Sequence, residues 1–304
     1  MTTLYYPMPV LGKTFESTSR TGGSLPATFD TFLYKPIDGQ SQLKLLIKLR
    51  INLRQLPPKA IPLQLDYDNK PFWTLPWTWP DWGRFIHAAA SQADMWNNKF
   101  WLVPPASFTD FDITSGMPPN QARRPNIRCA LEVDFNAGED AHRTIDVANL
   151  DTRLLIGGRR DSSTFRSDAL FYDSLDAVPC VFPYGNGPGQ PPRRYTIAHE
   201  IGHAIGLDHI GVILKTPLCM YAAASHEMGI DYHPNAQGGF NGLYCYGYTQ
   251  GINVVGNIMG AGDQFTIVNA KPWQWAMMHL RQRYDEVWKA VTADPGPSNG
   301  VRLS

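Results

Sequence analysis

One segment restricts this chain more than any other: residues 196–209, reading TIAHEIGHAIGLDH. His199 and His203 are four residues apart, so on a helix they share one face and can bind one ion together. Glu200 stands one step round the helix. It does not easily join that pair as a ligand, but it can reach a water on the ion. Gly206 follows three residues after the second histidine. A residue without Cβ takes left-handed backbone angles freely, so the helix can stop there and turn sharply. The turn brings His209 round to the same ion. Three neutral imidazoles leave a fourth position open for water, the arrangement of a catalytic zinc site rather than a closed structural one. With this composition, the five fixed positions would arise by chance on the order of 1 time in 100,000. The plainer alternative is an amphipathic core helix with satisfied histidines. Three histidines converging on one point would be costly there without a metal.

The rest of the chain supplies a frame. Residues 43–54 alternate apolar residues, Leu43 to Leu53, with a largely cationic set, Lys44, Lys48, Arg50 and Arg54 among them, which is a half-buried strand. Asp81 reads as an N-cap for a helix over 82–98, with Phe85, Ile86, Ala89, Ala93 and Trp96 at helical spacing. Short strands are expected at 100–103, 127–135, 143–147 and 169–172. The zinc motif lies on a helix over 194–207. Pro272 opens a last helix reaching about residue 289. Residues 1–42 mix Pro, Gly, Ser and Thr and read as an irregular arm with at most a short strand. The expected organisation is an arm (1–42), an N-terminal half carrying the zinc helix (43–209), a loop-rich C-terminal half (210–290) and a loose tail (291–304).

Composition excludes some partners. Basic and acidic residues both number 27, for a formal charge of zero, so no global field argues for nucleic acid or an anionic membrane. No apolar run approaches the roughly 18 residues needed to cross a bilayer, and no transmembrane segment is expected. Residues 1–14 do not carry the basic and apolar regions of a signal peptide. Cys129, Cys180, Cys219 and Cys245 form no CxxC pair. They are either two disulfides or four thiols, with thiols favoured, and Cys219 with Cys245 is the best pair if a bond exists.

A second element lies downstream, Asn257-Ile258-Met259-Gly260. Alone, Met259 could be a gap-filling core methionine. Together, HEIGHAIGLDH and this NIMG turn resemble the metzincin family of zinc proteases. The resemblance covers about residues 43–288, but only the two motifs are specific. It implies a mixed α/β (α+β) zincin fold: a twisted, mostly parallel sheet of about five strands, an active-site helix and a smaller loop-rich C-terminal half. It implies one catalytic Zn2+ on His199, His203 and His209, Met259 beneath them, and hydrolysis of a protein or peptide substrate with Glu200 as general base. In some metzincins a tyrosine two residues after the methionine reaches the metal; Ala261 stands there, so that ligand is not available. No cysteine-switch prosegment is evident.

Two other functions stay open at this level: a zinc amidase acting on a non-protein amide such as a cell-wall cross-link, and a zincin-fold binding protein without turnover. An intact Glu200 argues against the second. Metzincins usually act outside the cell. The expected settings are an effector or toxin exported without a cleaved signal, a cytoplasmic protease, or a chain whose leader has been removed.

Further clusters have plainer readings. Asp134, Asn136, Gly138 and Asp140 space oxygen ligands like the start of a calcium loop, but position twelve is Ile145 rather than a bidentate glutamate, so a turn between strands is expected. Six of nine tryptophans fall in residues 73–101 and form either an aromatic binding platform or, more often for such clusters, packing. His226, Glu227, Asp231 and His233 match no helix-face pair and read as loop or cleft-wall residues. Asp208 either orients a histidine or is solvated.

Overall fold

The computed structural model describes residues 11–16, 27–34, 43–64, 71–105, 108, 126–154, 171–181, 193–215, 248–249, 252–253, 256–260 and 262–292. In chain order the strands are β1 (Leu11–Glu16), β2 (Thr28–Tyr34), β3 (Leu43–Gln55), β4 (Lys59–Gln64), β5 (Pro71–Thr74), β6 (Trp101–Val103), β7 (Ile127–Asp134), β8 (Arg143–Ala148), β9 (Phe171–Asp173), β10 (Cys180–Val181), β11 (Arg193–Arg194), β12 (Tyr248–Thr249), β13 (Ile252–Asn253) and β14 (Lys289–Val291). The α-helices are α1 (Trp79–Asp94), α2 (Thr196–Ala204), α3 (Ile210–Ile213) and α4 (Lys271–Arg281).

The main sheet has eight strands, running β1-β2-β3-β7-β6-β14, with β8 pairing β3 and β9 pairing β8. It is not the mostly parallel sheet of about five strands that the resemblance implies. Among the described residues, β3–β7, β3–β8 and β8–β9 are parallel. Pairings β1–β2, β2–β3, β6–β7 and β6–β14 are antiparallel and outnumber them. Three of the four antiparallel pairings involve strands near the two ends of the chain. The stretch read as an irregular arm contains β1 and β2. Strand β2, TFDTFLY, alternates in burial, but one inward position is Thr31, which dilutes its apolar period. Thr31 is fully buried because its hydroxyl donates to the Lys13 carbonyl at 2.8 Å.

The C-terminal helix is likewise shorter than expected. It ends at Arg281, where Gln282 turns left-handed (φ 55°). Arg281 grips Glu286 through two contacts, Nε–Oε2 at 2.8 Å and a second nitrogen to Oε1 at 3.0 Å. Gln274 donates to the Trp288 carbonyl at 2.6 Å. The chain is thus folded back so that 289–291 add a strand to β6, reaching into the segment expected to be tail. Helix α1 begins three residues before the expected start, because Thr78 rather than Asp81 is its N-cap and accepts from the Asp81 amide at 3.2 Å.

Strand β3 is the spine. Residues 43–50 pair with β7 and residues 51–55 with β8. His142 mediates the change of partner, donating its own amide to the Arg50 carbonyl (2.8 Å) while its Nδ1 accepts the Arg50 amide (3.0 Å). A continuous buried core joins β2, β3, β7 and β8 to α1, α2, Met259 and α4. Helix α2 packs chiefly against α1 and the 3-10 turn at residues 174–177. Among the described residues, no helix is long and apolar enough to cross a membrane.

Candidate metal centre

Helix α2 has only nine residues, and every one is buried. So short a helix is marginal alone, and its termini expose amides and carbonyls that need partners. Tyr195 at its N-cap supplies no side-chain bond. Gln92 of α1 does this instead: its Oε1 accepts the amides of Ile197 (3.0 Å) and Ala198 (3.3 Å), while its Nε2 donates to the Asp176 carbonyl (2.7 Å). One turn along the chain from Gln92, Trp96 Nε1 donates to the Ala198 carbonyl at 3.0 Å. At the other end Arg143 of β8 donates to the Ala204 carbonyl at 3.3 Å, a cation on the negative end of the helix.

Gly206 performs the turn expected of it. Its φ is +97°. The Leu207 amide donates to the Gly202 carbonyl and the Gly206 amide to the His203 carbonyl, both at 2.9 Å, which is the Schellman pattern of a helix closed by a left-handed glycine. A Cβ at this position would also stand 3.1 Å from Ala27 and 3.3 Å from the Trp275 ring.

The turn brings all three predicted histidines together. One ligand atom from each of His199, His203 and His209 lies within 4.8 Å of the others, and they are the one such group among the described residues. The orientation is specific. His199 Nδ1 lies 2.7 Å from the Ile258 carbonyl and His203 Nδ1 lies 2.6 Å from the Leu207 carbonyl. A carbonyl can only accept, so both Nδ1 atoms carry the proton and both Nε2 atoms present lone pairs. Those Nε2 atoms are 3.2 Å apart. Two nitrogens at 2.0–2.1 Å from one tetrahedral ion would be separated by about 3.3 Å. Burial is the main cause holding all three imidazoles below their ordinary pKa, with His203 down at about 4. They are therefore neutral near pH 7, the form that ligates a metal. The donor set fits a divalent ion.

Met259 packs against α2 at Gly202. The turn is closed by the Gly260 amide donating to the Asn257 carbonyl at 2.8 Å. Asn257 Oδ1 accepts the Met259 amide at 2.8 Å, and its Nδ2 donates to Asn269 (2.9 Å) and Thr266 (3.0 Å). The same turn presents the Ile258 carbonyl to His199. Met259 is fully buried and fills the space where a Cβ of Gly202 would be. Gly202, between the two helix histidines, thus lets the turn approach the helix.

Glu200 is 3% exposed and lies outside the ligand group. One Oε stands 3.7 Å from an Arg194 guanidinium nitrogen, both side chains being buried. Arg194 comes from β11, paired to β10 through Cys180, and its charge adds to burial in disfavouring the protonated imidazoles. Tyr172 of β9 is fully buried in the same region. Burial and then the Glu200 charge push its phenol well up, so it remains protonated.

The remaining expectations resolve plainly. Residues 138–140 form a surface 3-10 turn between β7 and β8 with no buried side chain, and Asp134 accepts the Asn136 amide at 2.9 Å, which is the expected turn between strands. In the tryptophan-rich segment, Trp96 is core, Trp77 and Trp82 pack around Phe85, and Trp79 is 87% exposed. Cys129 and Cys180 are free thiols. Asp208 is half-buried beside His209. Cys219, Cys245, His226, Glu227, Asp231, His233 and Ala261 lie outside the described residues. Sequence reasoning misses Gly202, Gln92, Arg143 and Arg194. Only Gly202 leaves a signal, as a glycine inside a helix; the others act on elements that spacing does not connect to them. No family model matches the chain, and it has no significant match among curated proteins or solved structures.

Proposed function

We propose that this chain is a zinc-dependent metallopeptidase of metzincin type. The observation that carries the reading is the convergence of His199, His203 and His209, with the two helix imidazoles locked by carbonyls so that their Nε2 atoms face one point. Zinc is the ion best suited to three neutral imidazoles. When bound, zinc supplies Lewis acidity, acidifying a water and polarising a carbonyl.

The chain's own residues supply the rest. The Ile258 and Leu207 carbonyls fix the imidazole tautomer and strengthen the ligands. The Met259 turn buttresses the helix and has no chemical step. Glu200, outside the ligand set and buried, is the base: it takes the proton of the attacking water and returns it to the leaving amine. Its position next to His199 in the chain supports that role.

The test is Glu200→Gln. Zinc content measured by elemental analysis stays at one per chain, while hydrolysis of a peptide library falls about 100-fold or more. Equal turnover by the variant, or a folded wild-type protein that takes up no zinc, sinks the reading. A panel including glycan-linked amides separates peptide hydrolysis from the amidase alternative.

A further inference from the structure

Glu200 faces a hazard that its role creates. Although one step round the helix from the histidines, a carboxylate that changed rotamer toward a bound divalent ion would itself coordinate it. It would then close the open position and cease to be a base. Yet Glu200 is absent from the group of ligand atoms gathered at the triad. Its Oε1 instead sits 3.7 Å from the Arg194 guanidinium, with the two side chains 4% and 9% exposed. Arg194 is not carried by the helix. It is anchored on β11 by the pairing Cys180↔Arg194, so its pull comes from a separate element. At this separation the contact is an ion pair rather than a hydrogen bond, strong enough in a buried setting to bias a rotamer.

We propose that Arg194 is a positioning residue that holds Glu200 off the metal. The proposal rests on the zinc-site reading above. It predicts an unusual sign. Removing a side chain that merely supports a metal site weakens metal binding, typically by about 10–100-fold. Removing Arg194 releases the carboxylate to ligate, so metal binding tightens while turnover falls.

The experiment measures zinc affinity by competition with a chromophoric chelator, and peptide hydrolysis, for wild type, Arg194→Met, Arg194→Lys, Glu200→Gln and the double variant Arg194→Met/Glu200→Gln. Arg194→Met is expected to bind zinc about tenfold tighter, one charge-assisted contact, and to lose about 10–100-fold in kcat with little change in KM. Arg194→Lys keeps the charge and recovers much of the kcat. The affinity gain vanishes in the double variant, whose amide has no carboxylate to release. A folded Arg194→Met whose zinc affinity is unchanged or weaker overturns the proposal. If Arg194→Met does not fold, the near-isosteric Glu200→Gln decides alone. Unchanged zinc affinity there supports a carboxylate held off the ion, and a tenfold loss shows that Glu200 is already a ligand and overturns the proposal. A zinc-loaded wild type that hydrolyses no peptide would overturn the functional reading instead, leaving the affinity comparison intact.

Discussion

Gly202→Ala puts two effects of opposite sign in competition. In an exposed helix interior, alanine in place of glycine stabilises by about 1 kcal/mol. Here the new methyl would overlap the Met259 sulfur and meet Trp96 Cζ2 at 3.0 Å. Neither neighbour yields freely. Met259 is fully buried on a turn tied by Asn257, and Trp96 is fully buried with its indole bonded to Ala198. Overpacking of this kind costs about 1–3 kcal/mol, and two constrained neighbours place it near the upper end. The net is a destabilisation of about 1–2 kcal/mol, equivalent to a Tm drop of roughly 2–3 °C in a chain of this size. Denaturant melts of the metal-free protein measure it. The decisive arm is the double variant. Met259→Ala alone costs about 2–5 kcal/mol through the cavity it opens, but the methyl introduced by Gly202→Ala would partly occupy that cavity. The double variant should therefore be more stable than the sum of the singles by about 1 kcal/mol or more. A Gly202→Ala protein more stable than wild type, or strict additivity, refutes the claim that Met259 packs on the helix at this glycine.

Two further outcomes follow from the geometry. Gln92→Ala strips two buried amides of α2 and the Asp176 carbonyl of their partner, and is expected to cost about 2–4 kcal/mol in denaturant unfolding; a loss under about 0.5 kcal/mol would show that the clamp is dispensable. The imidazoles of the triad are held below their unfolded pKa of about 6.5. Below that pH the unfolded chain binds protons that the native chain refuses, so metal-free protein loses stability as pH falls. His203, with a folded value of about 4, accounts for roughly 3 kcal/mol between pH 6.5 and 4. Denaturation midpoints at about pH 7.5 and pH 5 check the sign, and a flat or rising profile on acidification contradicts it.

The site is more legible in the sequence than the fold, for a physical reason. His199, His203 and Gly206 are related by helix period and turn chemistry, both of which act within a few residues. Strands with strong apolar alternation, β3 above all, are legible on the same ground. What the sequence hides depends on distant partners. Thr31 is inward only because the Lys13 carbonyl accepts its hydrogen bond, and Gln92 caps a helix some hundred positions away. The antiparallel character of the sheet is hidden likewise: β1 and β14 are short edge strands whose identity comes from what they pair with rather than from their own pattern.

The clamps on α2 have a consequence for how the centre comes into being. Both ends of the helix are satisfied by side chains from α1 and β8, and the acceptor for His199 comes from a turn beyond it. A peptide containing only the histidine motif has none of these. Cut from the protein, it would be a flexible chelator of modest affinity, without preference for three-nitrogen geometry. Any metal preference of the three histidines would thus belong to the assembled domain rather than to the motif alone.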